Sequence, residues 1–215
     1  SQNVLSDFFT PGVSSLNSNL RSQAGFNEKS VANNRVYPAR PTTGVNRGYM
    51  DGILDSNNKL VNFTAACGPL VYRGDLFPTS HDENIFVPEP SANLIKRDII
   101  TRKGNVVIGE QAYSDKEFVR STDERFRPVS LHNAPDGALY IVDMYLQHIE
   151  TPVSIPDDLK AEMDFEAGSD KGRIYRIYPT NGEKRSLSNF ALATKSSAEL
   201  VETLTHNNQW WRLTA

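Results

Sequence analysis

The sequence predicts a mainly β protein made of short antiparallel strands. From residue 60 onward, runs rich in Val, Ile, Tyr and Phe alternate with turn signals such as Gly-Asp, Lys-Gly-Asn and Pro-Asp-Gly, a pattern typical of strands joined by short connections. Because no helical period separates these runs, a sandwich, a barrel or a propeller is the expected architecture. The predicted strands cover residues 60–64, 69–73, 84–88, 94–101, 105–110, 127–131, 138–143 and 173–178.

The clearest turn signal lies at residues 135–137, which read Pro-Asp-Gly. Proline presets the φ angle of the first turn residue, and glycine adopts a positive φ without a steric cost. An apolar run from Leu139 to Val142 follows directly. We therefore expect a turn that leads into a strand over residues 138–143.

The first 59 residues predict a loop-rich segment that lies over the strands. They are rich in Asn, Ser, Gly and Pro and keep neither a helical nor a strand period, so long loops with at most short helical pieces are expected. Arg and Tyr residues at 36–41 and 46–49 could border a ligand cleft. The interpretation that we favour is anchoring, in which Tyr37 and Tyr49 hold the loops on the strands.

Residues 183–215 predict a short α-helical segment. Ser196 and Glu199 have the spacing of a capping box, and three aliphatic residues between 200 and 204 share one helical face. Asn207 or Asn208 is expected to end this helix or to cap a second one. The apolar pattern of the second helix still runs at the last residue, which predicts a segment of a longer protein that continues as a helical repeat.

Composition excludes several classes of protein. The chain has 23 basic and 26 acidic residues, a formal net charge of -3, and no basic stripe that could follow a phosphate backbone, so nucleic acid is not an expected partner. Its aliphatic runs reach only three or four residues, which is too short for a transmembrane segment. The single cysteine, Cys67, excludes an internal disulfide, a multi-cysteine metal site and a haem attached through two cysteines of this chain.

Other residues that often carry chemistry have structural explanations here. Cys67 has apolar neighbours and is expected to be an inert small hydrophobe. The acidic residues between 157 and 170 lack the alternate spacing and central glycine of an EF-hand loop, so a solvated insertion is expected. The four histidines are expected at the surface or in the core rather than in a catalytic position; they are His81, His132, His148 and His206.

Five segments in a fixed order resemble a known family. They are residues 66–75 (Ala-Cys-Gly-Pro-Leu-Val-Tyr-Arg-Gly-Asp), 84–87 (Asn-Ile-Phe-Val), 125–129 (Arg-Phe-Arg-Pro-Val), 135–143 (Pro-Asp-Gly-Ala-Leu-Tyr-Ile-Val-Asp) and 172–177 (Gly-Arg-Ile-Tyr-Arg-Ile). The series is similar to the last two blades of the glucose/sorbosone dehydrogenase-like, quinoprotein-type β-propellers, including those of large bacterial membrane-bound dehydrogenases. The resemblance covers about residues 60–180 and extends to the helical tail, because those proteins carry HEAT-like repeats after the propeller.

The resemblance implies a two-blade segment of a six-bladed β-propeller at residues 60–182 and the start of a HEAT-like helical repeat at residues 183–215. The predicted strands fit this division, since the first four after residue 68 would form a complete blade. The next blade would have three strands, with a long acidic insertion at residues 145–171 before the last one. Propellers often complete such a blade with a strand from the other end of the chain.

The resemblance also implies a function for the parent protein. That protein would be an extracytoplasmic, periplasmic or membrane-associated dehydrogenase that oxidises a small-molecule sugar or alcohol with pyrroloquinoline quinone and passes electrons to haem c in a module outside this chain. The chain alone is not expected to be active, because the family's catalytic histidine and calcium-binding segment lie in earlier blades. The alternative is a non-catalytic β-propeller that binds polysaccharide or protein.

Arg125 and Arg127 are the cofactor-binding residues that the resemblance implies. The family places an Arg-x-Arg pair at the start of this strand, where it contacts the quinone carboxylates. Side chains two residues apart on a strand point to the same face, so two guanidinium groups could hold a ligand with several carboxylates. The alternative is a solvated or salt-bridged pair at a sheet edge. The family's lysine from the preceding blade has no counterpart at residues 88–91, which read Pro-Glu-Pro-Ser.

Overall fold

The computed structural model of the chain describes residues 34–42, 52–103, 106–149, 153, 157–161, 163–182, 185–186 and 190–215. Two antiparallel β-sheets provide most of the regular structure in these residues, which confirms the prediction of a mainly β protein. The predicted loops at residues 1–33 and 43–51, including Tyr49, lie outside the described residues. Helices are short: α1 (Asp157–Lys160), α2 (Ser197–Thr203) and α3 (Gln209–Thr214).

The first sheet is an antiparallel meander in chain order, as the sequence predicts. Its hairpin between the second and third strands closes through a single 3-10 turn, Pro90–Ala92, and through Asn93 in the left-handed conformation. The outer edge of the third strand pairs first with the fifth strand and then with the fourth. The strands are β1 (Leu70–Val71), β2 (Ile85–Glu89), β3 (Leu94–Lys103), β4 (Val106–Gln111) and β5 (Val119–Arg120).

Two local features of this sheet differ from the sequence prediction. β5 was not predicted, because a strand of two residues is too short to show a period of two. The predicted strand at residues 60–64 is wrong, since Leu60 and Asn62 form only isolated bridges. The N–H groups of Thr64 and Ala65 donate instead to the buried Glu89 carboxylate at 2.8 and 2.9 Å, so this part of the chain is held by a side chain.

The second sheet has three antiparallel strands in chain order: β6 (Pro128–Asn133), β7 (Leu139–Asp143) and β8 (Arg173–Ile177). The predicted Pro-Asp-Gly turn joins β6 to β7. Gly137 has a φ of 81° and donates its N–H to the Ala134 carbonyl at 2.9 Å. This positive φ is the reason that the turn requires glycine.

The two sheets pack face to face through a core of aromatic and aliphatic side chains. Phe86 of β2 and Ile95 of β3 face Leu131 of β6 and Ile141 of β7 in this core. Burial of such side chains is the main source of stability for the pair of sheets. The buried members are Tyr72, Phe77, Phe86, Ile95, Phe126, Leu131, Leu139 and Ile141.

Tyr72 connects the first sheet to the turn of the second. Its ring stacks on Phe77 with the centroids 4.6 Å apart. Its hydroxyl donates to the Gly137 carbonyl at 2.6 Å and accepts from the N–H groups of Leu76 and Phe77 at 3.1 and 3.0 Å. One buried hydroxyl therefore satisfies three main-chain groups.

The opposite face of the first sheet is covered by residues 34–42 and 52–66. Val36, Ile53 and Leu60 are buried there against Leu94 of β3. Because both faces of the sheet are covered, all five residues of β2 are buried. The Tyr37 ring is only partly buried, so Val36 is the main apolar anchor of its segment.

A side chain of the second sheet hydrogen-bonds to the first strand of the first sheet. Asn133 of β6 donates from Nδ2 to the Val71 carbonyl and accepts at Oδ1 from the Arg73 N–H, both at 3.1 Å. A Cβ on Gly68 would lie 2.5 Å from the Val129 carbonyl oxygen, so only glycine fits where residue 68 passes the main chain of residue 129. The Asn133 side chain thus makes the two hydrogen bonds that the main chain of a neighbouring strand would make, and it links β6 to β1.

The helical segment is capped as predicted. Ser196 and Glu199 form the expected capping box at the start of α2. No helix in the described parts of the chain is long and apolar enough to cross a membrane. The exposed apolar side chains of α2 and α3 are Val201, Leu204 and Leu213.

α3 docks on the turn between β6 and β7. Asn208 is fully buried and caps the helix, accepting the Trp210 N–H at Oδ1 at 2.9 Å while its Nδ2 donates to the Ala134 carbonyl at 2.8 Å. The Trp211 indole donates to the Pro135 carbonyl at 2.8 Å. The Asn208 side chain therefore both caps α3 and docks it on the turn.

Replacing Tyr72 with phenylalanine should destabilise the protein without disturbing ring packing. We expect Tyr72→Phe to lower the free energy of unfolding by about 1–3 kcal/mol, because buried main-chain groups lose their partner. Tyr140→Phe, at a partly exposed ring of β7, should change it by less than about 0.5 kcal/mol. Urea unfolding followed by circular dichroism measures both, and equal effects would contradict the role of the Tyr72 hydroxyl.

Asn208→Asp separates the two roles of that side chain. Aspartate caps a helix as well as asparagine does, but it has no donor for the Ala134 carbonyl and places a charge beside it. We therefore expect Asn208→Asp to lower the free energy of unfolding by about 1–3 kcal/mol. The same change at the exposed neighbour, Asn207→Asp, is the control and should stay within about 0.5 kcal/mol; thermal unfolding that ranks the two variants equally would refute the docking role.

Candidate functional site

A cluster of polar side chains joins the two sheets at the turn between β2 and β3. Arg40 donates to Asn93 Oδ1 at 3.2 Å and to Glu124 Oε2 at 3.1 Å. Asn93 is fully buried, and its Nδ2 donates to the main-chain oxygens of Glu124 and Phe126 at 2.9 and 2.8 Å. Asparagine suits this position because it tolerates the left-handed conformation that the tight turn imposes, here with a φ of 57°. We call Arg40, Arg125, Arg127 and these partners the arginine cluster.

Arg127 is the buried centre of the arginine cluster, with only 9% of its surface exposed. Its Nε donates to the Leu146 carbonyl at 2.9 Å, its Nη1 to the Pro90 carbonyl at 2.7 Å and its Nη2 to the Gln147 carbonyl at 2.6 Å. Three of the five N–H groups of the guanidinium therefore bind main-chain oxygens. Because Pro90 belongs to the first sheet and residues 146–147 follow the second, this side chain fastens one sheet to the other.

Arg125 lies beside Arg127 but at the surface. Its main-chain N–H donates to Asp123 Oδ1 at 3.0 Å, and its Nη2 donates to Gln147 Oε1 at 3.1 Å. The structure therefore brings the two sequence-predicted arginines together at Gln147, one through the main-chain oxygen and one through the side chain. They differ in environment, because Arg125 is exposed and Arg127 is buried.

Glu89 is a fully buried carboxylate at the end of β2. Its Oε2 accepts the N–H groups of Thr64 and Ala65, and its Oε1 accepts the Ser91 N–H at 3.0 Å. Burial raises the pKa of Glu89 to about 7, while these N–H groups and the charge of Arg127 act in the opposite direction. The carboxylate shapes the turn that presents the Pro90 carbonyl to Arg127.

The charges of the arginine cluster influence one another. Burial, followed by the positive charge of Arg40, lowers the pKa of Arg127 to about 10. The negative charges of Glu124, Asp143 and Glu89 act in the opposite direction. Arg127 therefore remains a cation at neutral pH, buried near three carboxyl groups that favour its charge. The cation that the cluster presents to a dissolved anion is Arg125.

Sequence reasoning placed Arg40 in a segment that could border a ligand cleft but did not connect it with the Arg-x-Arg pair, and it missed Asn93 and Glu89. A signal for Glu89 was available, because a glutamate between Pro88 and Pro90 in an apolar strand must find partners if the strand is buried. No comparable signal exists for Arg40, since its contact with Glu124 joins residues 84 positions apart in the chain. Only the folded chain brings them together.

A second polar region is an open cleft of about 520 Å³ between the β1–β2 connection and α3. Its charged side chains include Arg73, Glu83 and Arg212. Arg73 lies 3.8 Å from Glu83, and Arg212 donates to the Asn207 carbonyl at 2.6 Å. These charges are engaged with each other or with the main chain, so the cleft does not favour a particular ligand class.

The other residues considered as possible site residues lie in surroundings that suit a structural role. Cys67 is partly buried, its Sγ lies 3.6 Å from the Pro128 carbonyl oxygen, and burial raises its pKa to about 11, which suits an inert thiol. His81 packs edge-on against Phe77 and Phe118, and burial lowers its pKa. Within the described part of the chain, no group of three or more His, Cys, Asp or Glu side chains could hold a metal ion.

Comparison with known proteins gives one match. The family model described as a domain of unknown function, DUF7133, matches residues 3–181, which is most of the chain. No curated protein and no solved structure matches the sequence. The description of this family assigns no activity to its members.

Arg127→Lys should be much more disruptive than Arg125→Lys. A lysine at position 127 can bind at most part of the three carbonyls, so buried acceptors lose their partners and we expect a loss of about 2–4 kcal/mol in the free energy of unfolding. Arg125→Lys keeps a charge at the surface and should stay within about 0.5 kcal/mol. Chemical unfolding of both variants tests this difference, and a stable Arg127→Lys protein would show that the carbonyl contacts contribute little.

Proposed function

We propose that this chain, which belongs to the DUF7133 family, forms two neighbouring blades of a six-bladed quinoprotein-type β-propeller and contributes to binding of a carboxylate-bearing quinone. In this proposal the parent protein is an extracytoplasmic dehydrogenase for a sugar or an alcohol, and the electrons leave through a haem module elsewhere in that protein. The chain itself is not active alone, because the resemblance places the catalytic histidine outside it.

The packing of the two sheets supports the propeller. In a propeller the first strand of each blade lies nearest the central axis, and consecutive blades pack face to face. Here β1 and β6, the first strands of two consecutive meanders, are held side by side by Asn133. The later strands of each meander follow outward in chain order. Two antiparallel meanders packed in this way are what neighbouring blades require.

The outer face of the second sheet supports a further blade beyond it. Ile174 of β8 is 70% exposed and pairs with Val142 of β7, which is only partly buried. β8 pairs with β7 alone among the described strands. A largely exposed aliphatic side chain and a free strand edge are both costly in water, and packing against another blade removes the first of these costs.

The helices support the proposed HEAT-like segment in the same way. α2 and α3 are joined by a short polar connection, and α3 is docked on the second sheet through Asn208. Val201, Leu204 and Leu213 remain exposed on the pair. A helical repeat buries such a face against its neighbouring unit.

The observation that carries the ligand proposal is the position of Arg125. Its guanidinium is exposed and its Nη2 bonds only to the neutral side-chain oxygen of Gln147 among the contacts above, so it has N–H groups to offer a carboxylate. Arg127 fits the family role less well, because three of its N–H groups already bind carbonyls. In this proposal Arg125 contacts the ligand, and Arg127 positions Arg125 and Gln147.

Pyrroloquinoline quinone, when bound in such a propeller, takes up the hydride equivalent of the substrate, and the protein supplies binding and orientation. The part of this chain would be to hold one carboxylate through Arg125. Gln147 would keep the guanidinium in place, and the main-chain contacts of Arg127 would keep Gln147 in place. No step of the oxidation is assigned to a residue of this chain.

The alternative is a non-catalytic propeller that binds polysaccharide or protein. The specific observation in its favour is the burial of Arg127, since the Arg-x-Arg pair then has a structural use that needs no cofactor. Fold alone does not distinguish these functions.

Isothermal titration with pyrroloquinoline quinone and with trimesate, a simple tricarboxylate, tests the proposal. We expect the parent protein, in which the remaining blades complete the site, to bind both, and Arg125→Ala in that protein to weaken both about fivefold to tenfold, which corresponds to about 1 kcal/mol. Arg102→Ala, at an exposed arginine of β3 outside the cluster, is the matched control and should bind as the unchanged parent protein does.

The outcomes separate the alternatives. Binding of the quinone but not of trimesate would indicate recognition of the ring system rather than of the carboxylates. Binding of neither ligand, or equal affinities for Arg125→Ala and the unchanged parent protein, would reject the cofactor role and favour the non-catalytic module.

A further inference from the structure

Lys96 and Asp98 are two charged side chains inside the protein, on the face of β3 that residues 34–42 and 52–66 cover. They are 1% and 0% exposed, respectively. Lys96 Nζ donates to the Arg35 carbonyl at 2.8 Å and to Gln111 Oε1 at 3.5 Å, and it lies 3.7 Å from Asp98 Oδ1. That last distance is an ion pair but not a hydrogen bond. Neither oxygen of Asp98 has a hydrogen-bond partner among the described residues.

A third buried charge, Glu117, lies in the connection before β5. It is 8% exposed, and its Oε1 accepts the main-chain N–H of Tyr37 at 2.9 Å. Lys96 and Glu117 therefore hold two main-chain groups of the same short segment, the carbonyl of residue 35 and the N–H of residue 37. Lys96 makes its contact as a cation, and such a charge-assisted hydrogen bond is stronger than a neutral one.

The charges of this cluster do not balance when all three groups are ionised. Two buried carboxylates then face one buried ammonium. Among the described residues, the exposed Arg120 of β5 also acts on Glu117, but from the side of the solvent. In the covering segment, the Arg35 side chain contacts the Val61 carbonyl and the Tyr37 ring, and Gln111 of β4 is neutral. The three buried groups together are therefore neutral when one of the two carboxyl groups carries a proton.

We propose that Lys96, Asp98 and Glu117 form a proton-controlled latch that holds residues 34–42 against the first sheet. With one proton bound, the cluster is neutral, and the segment is held through residues 35 and 37. When both carboxyl groups lose their protons, the three buried groups carry one net negative charge, and, in the part of the chain that the structure describes, only the exposed Arg120 offsets it. Release of the segment then exposes Glu117 to water, where its charge is solvated.

The sign of this dependence follows from burial. Burial raises the pKa of Asp98 to about 6 and that of Glu117 to about 7, while Lys96 acts on both in the opposite direction. In the released state Glu117 would titrate near its ordinary value of about 4.5. The held state therefore binds the proton more tightly, so holding is favoured at low pH and is lost as pH rises through about 7.

The latch has a consequence for the arginine cluster, because Arg40 belongs to the same segment. Release of residues 34–42 would remove Arg40 from Asn93 and Glu124. This consequence is independent of whether the cluster binds a quinone, since the latch and its test need no ligand. A failure of the quinone proposal therefore leaves this inference intact.

Amide hydrogen exchange read by NMR tests the latch. For the unchanged chain, we expect the protection factor of the Tyr37 amide, corrected for the intrinsic pH dependence of exchange, to fall about tenfold between pH 6 and pH 8, as one proton with these two pKa values requires. The Phe86 and Ile95 amides in the core should keep their protection and so report that the fold is intact.

Substitutions at the two carboxyl groups provide the decisive comparison. Glu117→Gln keeps an acceptor for the Tyr37 N–H but cannot ionise. In this variant the protection factor of the Tyr37 amide should stay high and vary less than about twofold between pH 6 and pH 8. Asp98→Asn leaves one carboxyl group, Glu117, with the ammonium of Lys96. This variant should also reduce the pH dependence of the Tyr37 protection factor. Glu110→Gln, at an exposed carboxyl of β4, should retain the tenfold change.

Two results would overturn the proposal. One is a constant protection of Tyr37 in the unchanged chain between pH 6 and pH 8. The other is a Glu117→Gln profile that matches the unchanged chain. If Glu117→Gln lowers core protection and so perturbs folding, Asp98→Asn decides by itself, since it removes one charge without touching the contact to Tyr37.

Discussion

The burial of both faces of β2 and of the first part of β3 is the constraint that organises this protein. The second sheet covers one face and residues 34–42 and 52–66 cover the other, so polar side chains on β2 and β3 must find their partners inside. Glu89 binds three main-chain N–H groups, and Lys96 binds the Arg35 carbonyl. Arg97 reaches Asn84 at 2.7 Å and Tyr113 at 3.3 Å. Each of these contacts fixes a connection that has little regular structure of its own.

The same constraint explains why the two arginines of the Arg-x-Arg pair have different roles. The turn shaped by Glu89 presents the Pro90 carbonyl between the sheets, and a long cationic side chain is suited to reach it together with two further carbonyls. Arg127 is therefore used for assembly. Arg125 begins two residues earlier, before the chain enters the core, and so it keeps a surface position. A motif that looks symmetrical in sequence becomes one structural residue and one accessible residue.

Residues 34–42 link two polar regions that are far apart in sequence. Their first half is held by Lys96 and Glu117, and Arg40 in their second half binds Asn93 and Glu124. A charge change in one region can therefore affect the other without a change in either sheet. Such coupling needs an element with two arrangements whose equilibrium both regions influence, and a short segment that belongs to neither sheet meets that requirement better than a strand does.

The sequence by itself determined the strands that are long and apolar, the order of both meanders, the Pro-Asp-Gly turn and the capping box of α2, because each depends on neighbouring residues. It did not determine β5, the irregular path of residues 60–64 or the membership of Arg40, Asn93 and Glu89 in the arginine cluster. These depend on contacts between residues 24 to 84 positions apart, where no local pattern carries information. The burial of Arg127 and the unbalanced charges around Lys96 were likewise decided by the tertiary structure, because only packing removes a charged side chain from water.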